Sequence, residues 1–208
     1  KLFSQIKFWS LRYLFAILLT SLCIHSNRAQ ETVLLQNSGQ FIVPCGVNEI
    51  MVEAIGAGGS GGTRNSNGNA AGGGGGAYAK KTLTVTPGQI LNYTIGQGGY
   101  DPNNLNRDGF QGGSTIFGDN LIVAEGGYGG THAGSASSIG GNGGQATNSI
   151  GDVVYNGGKG GNGGVIRVNV NGTLQNVNAY SGAGGGAAGS NGVGGNATTF
   201  TAGLGTAD

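Results

Sequence analysis

The chain has 208 residues, 48 of them glycine, and ten basic against nine acidic residues leave a formal net charge of +1. A charge this small and scattered excludes the basic face that nucleic acid demands of a partner. This much glycine excludes a helical protein, because glycine costs roughly 0.5–1 kcal/mol against alanine inside a helix or strand and buries no side chain.

Residues 1–29 contain no glycine. Lys1, Lys7 and Arg12 flank or precede the twelve-residue, mostly apolar run Tyr13–Ile24, and Asn27-Arg28-Ala29 follows. The run is short of the roughly 20 residues that cross a bilayer. This is the pattern of a secretory signal peptide cut after Ala29, so no stable membrane span is expected after cleavage. Leu22 is too large for a lipid-attachment site at Cys23. Cleavage removes four of the ten basic residues and no acidic one, so residues 30–208 carry a net charge of −3. Only Cys45 remains, read as a buried small residue with no internal disulfide. The ending at Asp208, amid glycine and alanine, is read as a fragment of something longer.

In the mature chain, Phe41–Pro44 reads as an edge strand, since proline cannot donate to a ladder. Ile50–Ile55 follows, with Ile50, Val52 and Ala54 on one face. Gly56–Gly76 is a glycine block broken by a polar loop over Thr63–Asn69. Ala77–Thr86 is a strand whose Leu83 and Val85 oppose Thr82, Thr84 and Thr86. Pro87-Gly88 suits the centre of a type II turn, after which Leu91, Tyr93 and Ile95 share a face. A polar loop over Tyr100–Gln111 interrupts the pattern. Thr115–Phe117 and Leu121–Ala124 are joined by Gly-Asp-Asn, a hairpin signal.

The main glycine tract runs from Gly126 to Gly164. Beyond it Val165–Val170 alternates, with Ile166, Val168 and Val170 against Arg167 and Asn169. Asn171-Gly172 then joins it to Thr173–Val177 in a two-residue hairpin. Glycine and alanine return from Gly182.

Glycine runs of this kind suit polyproline II geometry, with three residues per turn and about 3.1 Å rise. A lone helix of that form has no internal hydrogen bonds, but glycine lets neighbouring backbones approach and bond to one another. Glycine-rich chains without a strict period are commonly disordered. Disordered chains, however, do not carry so many alternating apolar strands. The expected fold is therefore all-β: short antiparallel strands in a sandwich-like arrangement, packed with a bundle of polyglycine II helices, and no α-helix in the mature chain. One domain over residues 30–208 is expected.

Catalytic and cofactor signals are weak. Gly56, Gly58 and Gly61 match Gly-x-Gly-x-x-Gly after a strand, but the fingerprint needs a helix to follow, and Thr-Arg-Asn-Ser-Asn-Gly-Asn cannot supply one. Gly158-Lys159 lacks the Ser or Thr of a phosphate loop. Asp101-x-Asn103 begins like a calcium loop, yet Leu105 and Gly112 occupy ligand positions. Cys45 and His132 could pair as nucleophile and base only by a coincidence of folding. Neither a catalytic residue, a metal site nor a cofactor is expected, and the chain is not read as an enzyme.

Binding has more support. The Tyr100–Gln111 loop packs aromatic, amide and charged groups into twelve residues, a mixture that serves recognition of sugars and proteins. Tyr100, Asp101, Asn104 and Arg107 in the loop, with Tyr128 and His132 in the glycine tract, are the candidate ligand contacts.

The order of motifs carries a resemblance. Phe41-x-Val-Pro-x-Gly46 is followed by Ile-x-Val-x-Ala-x-Gly-Ala-Gly-Gly (Ile50–Gly59) and by Gly-Gly-Gly-Gly-Gly-Ala-Tyr-Ala (Gly72–Ala79). Pro-Gly-Gln (Pro87–Gln89), Ile-Gly-Gln-Gly-Gly (Ile95–Gly99), Gly-Gly-Ser (Gly112–Ser114) and Leu-Ile-Val-Ala (Leu121–Ala124) come next. This resembles the glycine-rich domain of bacterial surface and phage tail-tip adhesins. More distantly, it is similar to the glycine-rich domain of anaplastic-lymphoma-kinase-type receptors. The resemblance covers roughly Phe41–Gly164 and implies strands packed on polyglycine II helices, recognition loops at the tips and no catalytic residues. Glu125, where glycine is usual, and the Val165–Val177 hairpin depart from the pattern.

The expected function is a non-catalytic secreted or cell-surface module, adhesin-like, that binds a glycan or a protein through loops. Its expected setting is a Gram-negative bacterium. The alternatives are a self-associating structural or matrix protein and an ice-binding protein.

Overall fold

The computed structural model describes residues 31–64, 68–100, 102, 106–134, 137–199 and 201–206. The expected signal peptide lies outside the described residues. The strands are β1 (Gly39–Ile42), β2 (Glu49–Ile55), β3 (Asn69–Ala70), β4 (Tyr78–Thr84), β5 (Ile90–Thr94), β6 (Thr115–Phe117), β7 (Ile122–Ala124), β8 (His132–Ala133), β9 (Val153–Tyr155), β10 (Gly164–Val170) and β11 (Thr173–Tyr180). Every strand pairing is antiparallel. One 3-10 turn, Ala146–Asn148, is the helical content of the described residues. The fold is all-β, as expected.

Period-two alternation builds a small sandwich at one end. One sheet has the order β1-β5-β6-β7 and the other β2-β4-β9. Their facing residues form the hydrophobic core, in which Val43, Ala79, Phe117, Ile122 and Ala124 are buried, and Phe41 and Tyr93 pack against it. Leu83 and Val85 point into it while Thr82, Thr84 and Thr86 stay exposed, so the predicted alternation holds. β1 is an edge strand, although it pairs over Gly39–Ile42 and Pro44 falls beyond its end. Cys45 is exposed and disulfide-bonded, which corrects the expectation of a buried lone thiol. The chain's other cysteine, Cys23, lies outside the described residues.

The glycine segments extend from the strands. We label them in chain order gA (56–62), gB (71–77), gC (96–99), gD (107–113), gE (125–131), gF (140–144), gG (156–163), gH (182–188), gI (193–198) and gJ (203–206). β2 runs out into gA, gB returns into β4, β5 runs out into gC, gD returns toward β6, and β7 runs out into gE. Their hydrogen bonds repeat every three residues. Gly56, Gly59 and Gly62 donate to Ala77, Gly74 and Ala71 at 2.9, 2.9 and 3.0 Å. Ala57, Ser60 and Thr63, one residue on, donate instead to Gly113, Phe110 and Arg107 in gD. A three-residue period with bonds in successive directions is polyglycine II geometry, not a β ladder.

At the centre stands gB, buried throughout. Ala71, Gly74 and Ala77 donate to gE, and Gly72 and Gly75 donate to gG, while gA, gF and gH donate to gB carbonyls. Around gB, gA bonds gE, gE bonds gF, gF bonds gG and gG bonds gH. The helices are therefore hexagonally packed. Close approach is what glycine supplies here: a Cβ on Gly74 would overlap the carbonyl of Asn142, and one on Gly76 that of Gly56.

The tract expected over Gly126–Gly164 is in fact divided. gE runs outward, gF returns, and Ala146–Tyr155 rejoins the sandwich through the 3-10 turn and β9, which pairs β4 at Tyr78–Lys80. Beyond it, gG, gH, gI and gJ continue the lattice, so neither Glu125 nor the late hairpin breaks it. That hairpin, β10–β11, turns at Asn171 and Gly172, whose φ values of 52° and 83° are those of a type I′ turn.

Candidate functional site at the distal tip

Because the glycine helices run out from the sandwich and back, their outer connections collect at the end away from it. Among the described residues, Thr63, Arg64 and β3 between gA and gB, Tyr100 and Asn106 between gC and gD, β8 and residues 137–139 between gE and gF, and the β10–β11 hairpin lie there. β3 pairs β8 (Asn69 with Ala133, Ala70 with His132). Thr63 and Arg107 exchange both backbone hydrogen bonds, at 2.9 and 3.1 Å. Buried Asn69 accepts from the Ser138 amide at 3.0 Å and from its hydroxyl, tying the gE–gF connection to β3.

Two paired groups stand on this frame. The Arg107 guanidinium lies over the Phe110 ring, 4.9 Å from its centroid, a cation–π contact. The Asp108 carboxylate accepts from the His132 amide at 2.9 Å and contacts its Nδ1 at 3.0 Å. The His132 amide, with its ring adding to the effect, holds the Asp108 carboxyl below the ordinary carboxylate value. Tyr100 is 74 % exposed where the chain leaves gC.

Of the sequence-derived candidates, the structure brings Arg107 and His132 into this tip and leaves Tyr100 exposed beside gD. Asp101 and Asn104 lie outside the described residues. Tyr128 faces elsewhere. Its hydroxyl donates to Glu125 at 2.8 Å, and this bond, with burial, raises its pKa above the usual tyrosine range. Glu125 is buried and also accepts from the Gln145 amide at 2.6 Å and from Asn148 Nδ2 at 2.9 Å. That carboxylate serves the turn where gF hands over to the 3-10 turn, which is why a charged residue stands within a glycine run. Sequence reasoning missed Asp108 and Phe110 as members of the tip. Phe110 sits three residues from Arg107 and could have been found from one polyglycine turn, but Asp108 lies 24 positions from His132 and only folding joins them.

The tip also carries an exposed ribbon. In β10, Ile166, Val168 and Val170 are all 41–47 % exposed, and Leu174 on β11 is 64 % exposed. A shallow depression of about 280 Å³ on the flank of the bundle is lined by Asn142, Gln145, Asn156, Lys159 and Asn196 among others. Two of its three asparagines are already engaged: Asn156 accepts from the Ala146 amide and Asn196 from the Lys159 amide.

A family model described as a glycine-rich domain matches residues 35–208. No curated protein matches the chain.

Proposed function

The chain belongs to the glycine-rich domain family, and from that premise we propose that it is a non-catalytic, secreted or cell-surface binding module. Its ligand is a glycan or a protein, taken by loops on a rigid scaffold, in the manner of the bacterial and phage adhesins that the motif order resembles. The leader-like residues 1–29 support export, and a Gram-negative surface is the setting that the resemblance favours. One observation carries the reading: the described residues of the bundle's outer connections gather at its distal end, where Arg107 lies over Phe110 beside the Asp108–His132 pair. A cation over an aromatic ring beside a carboxylate combines apolar and charged groups suited to recognition.

The test is a printed glycan and surface-protein array probed with the purified protein. Binding to a restricted set of spots is expected, weakened about tenfold or more by Arg107→Ala or Phe110→Ala, since a lost anchor costs on the order of 1–2 kcal/mol. Tyr128→Phe, which touches the scaffold and not the tip, is expected to bind like the parent. Equal loss in all three variants, or loss in none, would sink the reading.

A further inference from the structure

Among the described residues, the helices around gB leave one lattice position vacant. The ring gA, gE, gF, gG, gH is bonded between successive members except between gH and gA, which exchange no hydrogen bond. The three-residue period says what faces that position. Amides of Ala71, Gly74 and Ala77 go to gE and those of Gly72 and Gly75 to gG, so those of Gly73 and Gly76 point the third way, into the gap. Both glycines are buried, and neither amide has an acceptor among the described residues. In gA, the carbonyls of Ala57 and Ser60 accept from gE and that of Gly58 from gC, which leaves Gly56 and Gly59 facing the gap. In gH, Ala183 and Gly186 accept from gG and Gly184 and Ala187 from gJ, which leaves Gly182 and Gly185.

The column therefore has donors on its floor and acceptors on both walls. It is open: a Cβ on Gly58 would meet only Gly74 O at 3.6 Å, and one on Gly184 only Gly73 O at 3.9 Å. Both residues are exposed. Elsewhere in the bundle some amides are satisfied by asparagine side chains, as when Gly140 donates to Asn162 Oδ1 at 2.9 Å and Lys159 to Asn196 Oδ1 at 2.8 Å. No side chain of the described residues serves Gly73 or Gly76. A buried amide without an acceptor is costly and points to a missing partner.

We propose that this column is a docking groove for a polyglycine II strand of another, glycine-rich polypeptide. A strand in the gap accepts from Gly73 and Gly76 with one carbonyl in three, and donates to Gly56 and Gly59 on one side and to Gly182 and Gly185 on the other. The residue whose Cβ would face gB must be glycine, so the ligand carries glycine at every third position over about two turns, roughly six or seven residues. A second copy of this chain is not the occupant, because its described glycine segments gA–gJ are already committed to its own bundle. The groove lies along the bundle's flank and does not depend on the tip-binding reading.

The probe is the acetylated and amidated peptide Gly-Asn-Gly-Gly-Asn-Gly-Gly-Asn-Gly, titrated to millimolar concentration into the protein while amide exchange is followed by NMR. The expected result is slowing of Gly73 and Gly76 by about tenfold or more, with Gly74 and Gly75, already bonded, unchanged. The same peptide with alanine for every glycine should have no effect. Gly58→Val and Gly184→Val place side chains in the open column and should abolish the slowing, with unchanged exchange at Gly74 and Gly75 showing that the bundle is intact. No slowing at Gly73 and Gly76, equal slowing by the alanine peptide, or binding that survives both valines would overturn the proposal. So would concentration-dependent protection of Gly73 and Gly76 in the protein alone, which would make the occupant a second copy.

Discussion

Single residues do different work at the two ends of this molecule. In the lattice the decisive quantity is the space beyond Cα. Gly74→Ala would drive a methyl into the carbonyl of Asn142, and since the backbone of gB is bonded on several sides, relief requires moving neighbours. Destabilisation of more than about 3 kcal/mol is expected in a denaturant melt, whereas Gly184→Ala, facing open space, should cost little. Glu125 is the charged counterpart: Glu125→Ala strands the Gln145 amide and the Tyr128 hydroxyl and should cost about 2–4 kcal/mol. At the tip, Asp108 is held below its ordinary pKa by the His132 amide. The sign follows: a depressed carboxyl contributes stability above its unfolded pKa and loses it as pH falls through the folded value. The shift of the Asp108 side-chain carboxyl carbon should therefore report a carboxyl midpoint below the ordinary aspartate value of about 4. A midpoint at or above the ordinary carboxylate value would contradict the geometry.

At the scale of elements, local chemistry decides some segments and long-range pairing decides others. The β10–β11 hairpin is local: Asn171-Gly172 takes the positive φ pair of a type I′ turn between alternating strands. Gly172→Val is accordingly expected to abolish the cross-strand contacts of Val170 with Thr173 while leaving the sandwich amides unshifted in an NMR spectrum. β9 is the opposite case. Val153-Val-Tyr155 lies inside a glycine-rich stretch, and nothing nearby marks it as a strand. It becomes one because Tyr78–Lys80 of β4 presents a free edge, on which Tyr155 stacks against Tyr78 with ring centroids 6.0 Å apart. The turn between β6 and β7 was legible in kind but not in extent. Gly118, Asp119 and Asn120 all adopt positive φ, so the strand starts at Ile122 and Leu121 closes the turn.

Over the whole molecule, a small sandwich anchors one end of a glycine bundle much larger than its apolar core. Rigidity then rests on backbone hydrogen bonds, each worth about 0.5–1.5 kcal/mol net, more than on buried side chains. Residue-resolved hydrogen exchange measures this directly. Slow exchange is expected at Gly59, Gly74, Gly75, Gly144 and Gly160, whose amides donate within the lattice, and faster exchange at Gly73 and Gly76 in the free protein. Uniformly fast exchange across gB would mean that the bundle does not hold in solution.

The fold class, the faces of β2, β4 and β5, the Asn171-Gly172 turn and the presence of glycine helices are all determined by local sequence, because period-two alternation and the steric freedom of glycine act within a few residues. Which segment lies beside which is not so determined. Glycine runs carry no side chains to distinguish one neighbour from another, so the return of residues 146–155 to the sandwich, the meeting of Asp108 with His132 and the central place of gB are decided only when every segment packs at once. The vacant column is of that second kind: no residue encodes a gap, and it exists because gA and gH flank gB without meeting.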